Sequence, residues 1–387
     1  MPPIILPPKQ MNRITAWVRR ASAATLTAVG LTAAAAFVAA NWVWSIDRSP
    51  PKPPPPTTLQ ELTLRELSGP GPAGVTAHFR YVDSLVPTTN LVPDATAGGS
   101  PLPLVSGADG RLWYANGRLR MEFQTDQGDT QLLLQGNRAL VYDAADGTAY
   151  AAILPTVGVP QLARSGLEGA SGLLDSIAGD AAVSQPRPIV TGGRPAYALR
   201  IAPTHDGGLL RTASLAVDAE TGTPLRLELF GVGRDAPLVR FALSDVSYGD
   251  IEPSVFRLKL PFGMHPLALR FAAPPSVGGA VPCTGPRELA GLRLRTCREA
   301  SRSTDVPGRV LVYGTNLSSV VVLEQPGSSD PGGGLWSLLP SVSVSGASGR
   351  ELVTALGTVI RFVRGGVTYT VLGSMPRPVV EAVARGL

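Results

Sequence analysis

Few side chains in this sequence are of the kinds that make and break bonds. There are three histidines, His78, His205 and His265, and two cysteines, Cys283 and Cys297. Catalysis needs a nucleophile with a base in reach, and a metal needs several ligands at recurring spacings. His78 falls on the polar phase of an alternating segment, His205 lies in a Gly-rich turn, and His265 precedes a proline. None stands in a metal-ligand spacing or beside a recognisable Ser or Cys motif, and no phosphate-cradling glycine loop follows a strand. The sequence therefore points away from an enzyme, a metal site and a cofactor.

What the chain offers instead is large apolar side chains at strand spacing. Phe79, Tyr81, Trp113, Met121, Phe123, Tyr197, Leu227 and Phe241 are the inward candidates. Residues of this kind either fill a core or line an apolar groove, and the fold decides between the two.

The elements that must position them are strands. Between Arg194 and Phe256 the chain alternates with period two: Tyr197, Leu199 and Ile201; Ala213, Leu215 and Val217; Leu225, Leu227 and Leu229; Val239, Phe241 and Leu243. Such alternation gives each strand one core face and one wet face. The short connections, such as Glu220-Thr221-Gly222, favour antiparallel neighbours. Val75 to Val82 is an earlier strand with Val75, Ala77, Phe79 and Tyr81 on one face. Strands are also expected at 112–114, 118–124, 130–135, 139–142, 149–154, 310–313, 320–323, 342–344, 359–363 and 367–372. Gly136-Asn137, Asp146-Gly147 and Gly365-Gly366 mark tight turns. Residues 154–180, with Leu167, Leu173, Leu174 and Ile177, suit one or two short helices lying over a sheet. Ser374 is the expected cap of a closing helix that carries Val379, Val380 and Val383 and ends at Gly386.

The 387 residues are 44% hydrophobic, too apolar for a disordered chain despite 43 Gly and 37 Pro. The net charge is +5. Lys9, Arg13, Arg19 and Arg20 supply four of these charges, so the remainder carries about +1, and nucleic-acid binding is not expected. Ala21 to Ile46 holds no charged residue and as a helix would be about 39 Å long, enough to cross a bilayer core of about 30 Å. The basic residues before it set the N-terminus in the cytoplasm, and Trp17, Trp42 and Trp44 lie near its two ends. The alternative is a cleaved signal peptide with Val38-Ala39-Ala40 as its cleavage site. Either way the bulk of the chain is expected outside the cytoplasm, and with the anchor retained it is expected at the cell membrane. Ser49 to Pro56 is a stiff proline-rich spacer, and Thr58-Leu59-Gln60-Glu61 is a capping-box pattern at a helix start. In an extracytoplasmic compartment Cys283 and Cys297 read first as a disulfide. Two free thiols or a redox pair is the alternative.

Several stretches carry a resemblance. Arg118-Leu119-Arg120-Met121-Glu122-Phe123, then Gly136-Asn137 leading to Val141-Tyr142-Asp143, resembles the N-terminal half of LolA-like domains. Ala216-Val217-Asp218 through Thr221-Gly222 to Pro224-Leu225-Arg226, followed by 241–248, resembles their later strands. Leu311-Val312-Tyr313-Gly314 through Val320-Val321-Val322-Leu323-Glu324-Gln325 is similar to the C-terminal domain of actinobacterial relatives of the periplasmic regulator RseB (MucB). The resemblance implies an α+β, mainly antiparallel β protein: an N-terminal membrane helix, an open LolA-like half-barrel covered by short helices, and a smaller α+β C-terminal domain. The expected organisation is a basic cytoplasmic segment (1–20), a signal anchor (21–46), a Pro-rich linker (47–57), the half-barrel (58–262), a connection (263–281) and the C-terminal domain (282–387). A half-barrel cannot fill its own concavity, so the eight apolar candidates are expected to line a groove. The resemblance implies an acyl chain of a lipid or lipoprotein as ligand and a protein partner such as an anti-sigma factor. A lipid or lipoprotein carrier of the cell envelope, and a structural module with a self-filled concavity, are the two other readings.

Overall fold

The computed structural model describes residues 51–62, 71–85, 107–125, 128–144, 147–153, 181–204, 207–269, 276–281, 285–301, 308–315, 318–327, 336 and 339–387. The expected membrane span at 21–46, the expected helices within 154–180, and His205 and Cys283 lie outside these residues. No helix among the described residues is long and apolar enough to cross a membrane.

Thirteen strands make the first sheet: β1 (Val75–Asp83), β2 (Ala108–Ala115), β3 (Arg118–Thr125), β4 (Gly128–Gln135), β5 (Arg138–Asp143), β6 (Thr148–Ile153), β7 (Ala181–Val183), β8 (Arg187–Thr191), β9 (Arg194–Pro203), β10 (Leu210–Asp218), β11 (Pro224–Gly231), β12 (Val239–Tyr248) and β13 (Leu267–Leu269). Their order is β13-β6-β5-β4-β3-β2-β1-β12-β11-β10-β9-β7, with β8 also paired to β9. The path has two ends, so the curled sheet is an open half-barrel. All its pairings are antiparallel except that of β13 with β6. The meander expected from 194 to 256 is present as β9 to β12, and β1 joins it to the meander β2 to β6.

The second sheet is built from β14 (Ser276–Ala280), β15 (Glu288–Leu289), β16 (Leu292–Ser301), β17 (Gly308–Thr315), β18 (Ser318–Pro326), β19 (Ser341–Val344), β20 (Ala347–Thr354), β21 (Gly357–Arg364) and β22 (Val367–Gly373). Its order is β14-β16-β17-β18-β22-β21-β20-β19, with β15 paired to β16. Helix α1 (Arg377–Gly386) closes the chain. Val380, Val383 and Ala384 of α1 are buried with Leu311, Tyr313, Val320, Val322, Ile360, Phe362 and Val371 of the sheet. On its outer side Arg377 pairs with Glu381, Arg385 pairs with Glu381, and Arg377 also reaches the buried Glu351. These i,i+4 pairs suit a surface helix with one apolar stripe.

Local chemistry accounts for many boundaries. Gly365 and Gly366 adopt φ of 58° and 74° between β21 and β22, the left-handed pair that a two-residue hairpin requires. The capping box is formed reciprocally: the Thr58 amide donates to Glu61 Oε2 at 3.1 Å, and the Glu61 amide donates to Thr58 Oγ1 at 3.2 Å. Two expectations need correction. Ser374 is not the cap of α1; Pro376 holds that position with no side-chain capping bond, and the preset φ of proline starts the helix instead. Part of the connection expected at 263–281 forms β13 and β14. Both strands are short and Gly- or Pro-flanked, so their pairing is decided by the strand they lie against.

The two sheets meet through main-chain bonds. The Leu209 amide donates to the Ser374 carbonyl at 3.0 Å, and the Ala355 amide donates to the Leu85 carbonyl at 2.8 Å.

Candidate functional site: one apolar face of the half-barrel

Register carries the site. Paired residues in neighbouring strands project to the same side of a sheet. One row runs Ala77, Leu112, Met121, Leu132, Val141, Tyr150 and, through the parallel pair, Leu267. A second row runs Ala108, Tyr81, Phe241, Leu227, Leu215 and Leu199. Phe79 and Phe123 lie between the first row and the second, on the same side. Tyr197 continues that face on β9. The result is one apolar surface that spans the half-barrel.

Seven of the eight candidates share this face, at different depths. Phe79 and Phe123 are buried and touch edge to face, with centroids 5.3 Å apart; Phe79 stacks on Phe241 at 5.7 Å. Such aromatic pairs hold one another in place. Tyr81, Met121, Leu227 and Phe241 stay half-buried and present apolar surface. Tyr197 is covered by the protein itself: Leu62 and Leu59 of the helical turn at 59–62 pack on it, and its hydroxyl donates to the Pro55 carbonyl at 2.8 Å. That end of the face is therefore filled.

Trp113 is the exception. It pairs with Thr76 and Arg120, on the opposite side of the sheet. There it packs with Ala115, Leu133 and Leu140, and with Ile251, Phe256 and Leu258, which cross behind the sheet. The Arg120 guanidinium lies 5.8 Å from its ring and donates to the Val255 carbonyl at 2.7 Å. Leu112, Trp113 and Tyr114 are three apolar residues in a row, and such a run has no phase to read. Leu112 is the inward member. Leu132, Val141, Tyr150, Leu199, Leu215 and Leu243 also belong to the face, and the alternation of their strands is the signal that marks them.

The face carries little charge. Tyr81 donates to Asp83 Oδ2 at 2.7 Å. Burial first, then that bond and the nearby carboxylate, push its pKa up, so the phenol stays neutral. Tyr114 is likewise held neutral by burial, which outweighs its bond with the Gly117 backbone. Asp143 and Thr148 bound the face at one end, in line with Thr130.

The polar chemistry lies elsewhere. On the side that Trp113 occupies, His78 Nδ1 is 3.0 Å from Asp245 Oδ2, and Arg111 Nε donates to His78 Nε2 at 3.2 Å. With Nε2 accepting, the proton of a neutral ring sits on Nδ1 and points at the carboxylate. Ser244 stands across from His78 in the β1–β12 pair, and the group is exposed. Near the β9 edge, Arg194 pairs with the buried Asp218 and with Glu220, beside a cavity of about 190 Å³ that Pro54, Pro55 and Tyr197 also line. Burial acts to raise the Asp218 pKa, but the Arg194 bond and the Thr221 and Glu220 amides outweigh it and hold the carboxyl below its usual range. Among the described residues no group of three or more His, Cys, Asp and Glu side chains is placed to hold a metal. Cys297 is buried on β16 across from Leu311.

No protein-family model matches the sequence, and no curated protein matches it. Solved structures do. The chain is similar to the Pseudomonas aeruginosa MucA/MucB complex, with 16% identity over 85% of this chain and 96% of that one, at a TM-score of 0.43. It is similar to the crystal structure of MucB, with 16% identity over 84% and 96% and a TM-score of 0.40. It is also similar to a putative outer membrane lipoprotein-sorting protein domain from Vibrio parahaemolyticus, with 11% identity over 51% and 93% and a TM-score of 0.22. These are the two kinds of protein that the strand motifs resemble.

Proposed function

We propose that this chain is a non-enzymatic, membrane-anchored extracytoplasmic protein that holds an acyl chain on the apolar face and contacts a protein partner through its C-terminal domain. The supporting observation is the face itself: two cross-strand rows of apolar side chains, with Tyr81, Met121, Leu227 and Phe241 left half-buried beside a buried aromatic cluster. An acyl chain gains about 0.8 kcal/mol for each methylene it buries there, so about ten buried methylenes correspond to micromolar affinity. Met121 suits such a ligand because its unbranched side chain adapts to irregular shapes. The partner is of the kind the sequence resemblance implies, an anti-sigma factor, and the anchor is the apolar segment at 21–46.

A photoactivatable fatty acid added to the full-length protein tests this reading. Crosslinks are expected on the peptides carrying Met121, Leu227 and Phe241 and not on the backward-facing Trp113. Crosslinks scattered over both faces, or none, would return the face to a structural role. A specific observation favours that second reading at one place: the turn at 59–62 already fills the Tyr197 end.

A further inference from the structure

The first sheet ends in an edge whose chemistry differs from the rest of its surface. Phe262 is fully exposed, Leu267 is 58% exposed and Ile153 is 66% exposed. Leu267 opens β13 beside Tyr150, and Ile153 closes β6 opposite Arg138. Phe262 sits in the turn that the Met264 amide closes on the Pro261 carbonyl at 3.1 Å. Phe262 and Leu267 belong to one loop, and large apolar side chains left in water there mark a contact; Ile153, three residues beyond Tyr150, projects to the other side of the sheet.

The charges within the loop are of one sign. No Asp or Glu occurs from Pro253 to Leu269, whereas Arg257 and Lys259 do. Both are exposed, as is Arg138 across from Ile153. Several arginines of this chain engage acids, as Arg194, Arg240, Arg309 and Arg377 do. Arg138, Arg257 and Lys259 have no side-chain partner among the described residues. A second copy of the same loop is disfavoured as the occupant, because the same cations would face each other. A fully exposed aromatic flanked by unpaired cations matches the interface of an anionic bilayer, where rings sit at headgroup level and Lys and Arg meet phosphate.

We propose that the 257–267 loop docks on an anionic membrane surface, with Phe262 entering the interface and Arg138, Arg257 and Lys259 meeting lipid phosphates. The register gives the contact a consequence. The row from Ala77 through Leu112, Met121, Leu132, Val141 and Tyr150 ends at Leu267, so the loop sets the open end of the apolar face against lipid. That last step alone rests on the acyl-chain reading above.

The test uses full-length protein with Phe262→Cys, labelled with an environment-sensitive nitrobenzoxadiazole dye and reconstituted into vesicles. No described cysteine carries a free thiol to compete for the label. The control probe is Val232→Cys, a second exposed apolar position (60%) in the β11–β12 connection. With phosphatidylglycerol in the vesicles, the dye at 262 is expected to shift to the blue and to be quenched by spin-labelled lipid, while the dye at 232 is not. Vesicles of phosphatidylcholine alone, or Arg257→Glu with Lys259→Glu, should abolish the difference, each charge reversal weakening the contact about fivefold or more. Equal emission at 262 in anionic and neutral vesicles, or equal quenching at 232, overturns the proposal. Fatty-acid crosslinks on Met121 with no lipid contact at 262 would overturn the docking and spare the binding site; lipid contact without crosslinks would do the reverse.

Discussion

Gly110 stands directly across from Phe79 in the β1–β2 pair, and the Phe79 ring occupies the space that a side chain at 110 would need. A β-carbon built there comes 2.9 Å from Phe79 Cε1 and runs into the Glu122 carbonyl. The aromatic cluster at the centre of the apolar face thus depends on a missing side chain one strand away. Gly110→Val is expected to lower stability by about 1–3 kcal/mol through overpacking, read as a lower urea midpoint. An unchanged midpoint would show that the ring does not need the gap.

Met121 and Trp113 separate binding from packing. Met121→Arg places a charge on the half-buried face and should cut fatty-acid crosslinking at least tenfold with little loss of stability, since its head can reach water. Trp113→Ala on the opposite side should leave crosslinking intact and cost about 2 kcal/mol, less than a fully buried ring would. Parallel measurements of crosslinking and unfolding check both. A Trp113 variant that stays folded and loses the ligand would contradict the assignment of faces.

Asp218 sets an acid limb of stability. Its carboxyl titrates below the ordinary value in the folded chain, so the unfolded chain binds the proton more readily. The stabilisation is then complete above the unfolded pKa and is lost as pH falls through the folded one. Asp218→Asn should be less stable at neutral pH by about 3 kcal/mol, because Arg194 loses its buried partner. Its stability should also fall less than that of the unaltered protein between about pH 5 and pH 2. Thermal melts across that range measure both; parallel pH profiles would refute the role.

Tyr197 fastens the end of the proline-rich spacer. Tyr197→Phe removes the bond to Pro55 and should cost about 1 kcal/mol. The Leu62 amide, which bonds to the Thr58 carbonyl at 3.0 Å, should exchange with solvent faster. Hydrogen exchange at that amide distinguishes this from a general loss of stability, which would raise exchange throughout the second sheet as well.

Cys297 has no free thiol, and Cys283 is its proposed partner. Closing a loop of about 15 residues contributes roughly 3 kcal/mol. Alkylation of the denatured, unreduced protein should therefore add no mass, and reduction should lower the melting temperature. Two alkylated cysteines without reductant would restore the alternative of free thiols.

Much of this was legible in local chemistry. The alternation of Tyr197, Leu199 and Ile201 with polar or small neighbours announced β9, the Gly365-Gly366 pair announced a hairpin, and Thr58 with Glu61 announced a helix start. Each depends only on residues within a few positions, so steric and hydrogen-bonding rules suffice. The eight site candidates share large apolar side chains within strand segments. The phase was readable at Phe79, where His78 and Arg80 flank the ring, and unreadable at Trp113 between two other apolar residues.

The sequence alone determined that there would be strands, roughly where they begin and end, and that many would have one apolar side. Only the tertiary structure decided which strands are neighbours, that β13 pairs in parallel beside β6, that Trp113 looks outward, and that Leu59 and Leu62 cover Tyr197. Strand periodicity says that two faces exist; which face meets which is settled by pairings between residues far apart in the chain. Those pairings depend on how the whole sheet curls to bury its apolar side, and no short window of sequence contains that information.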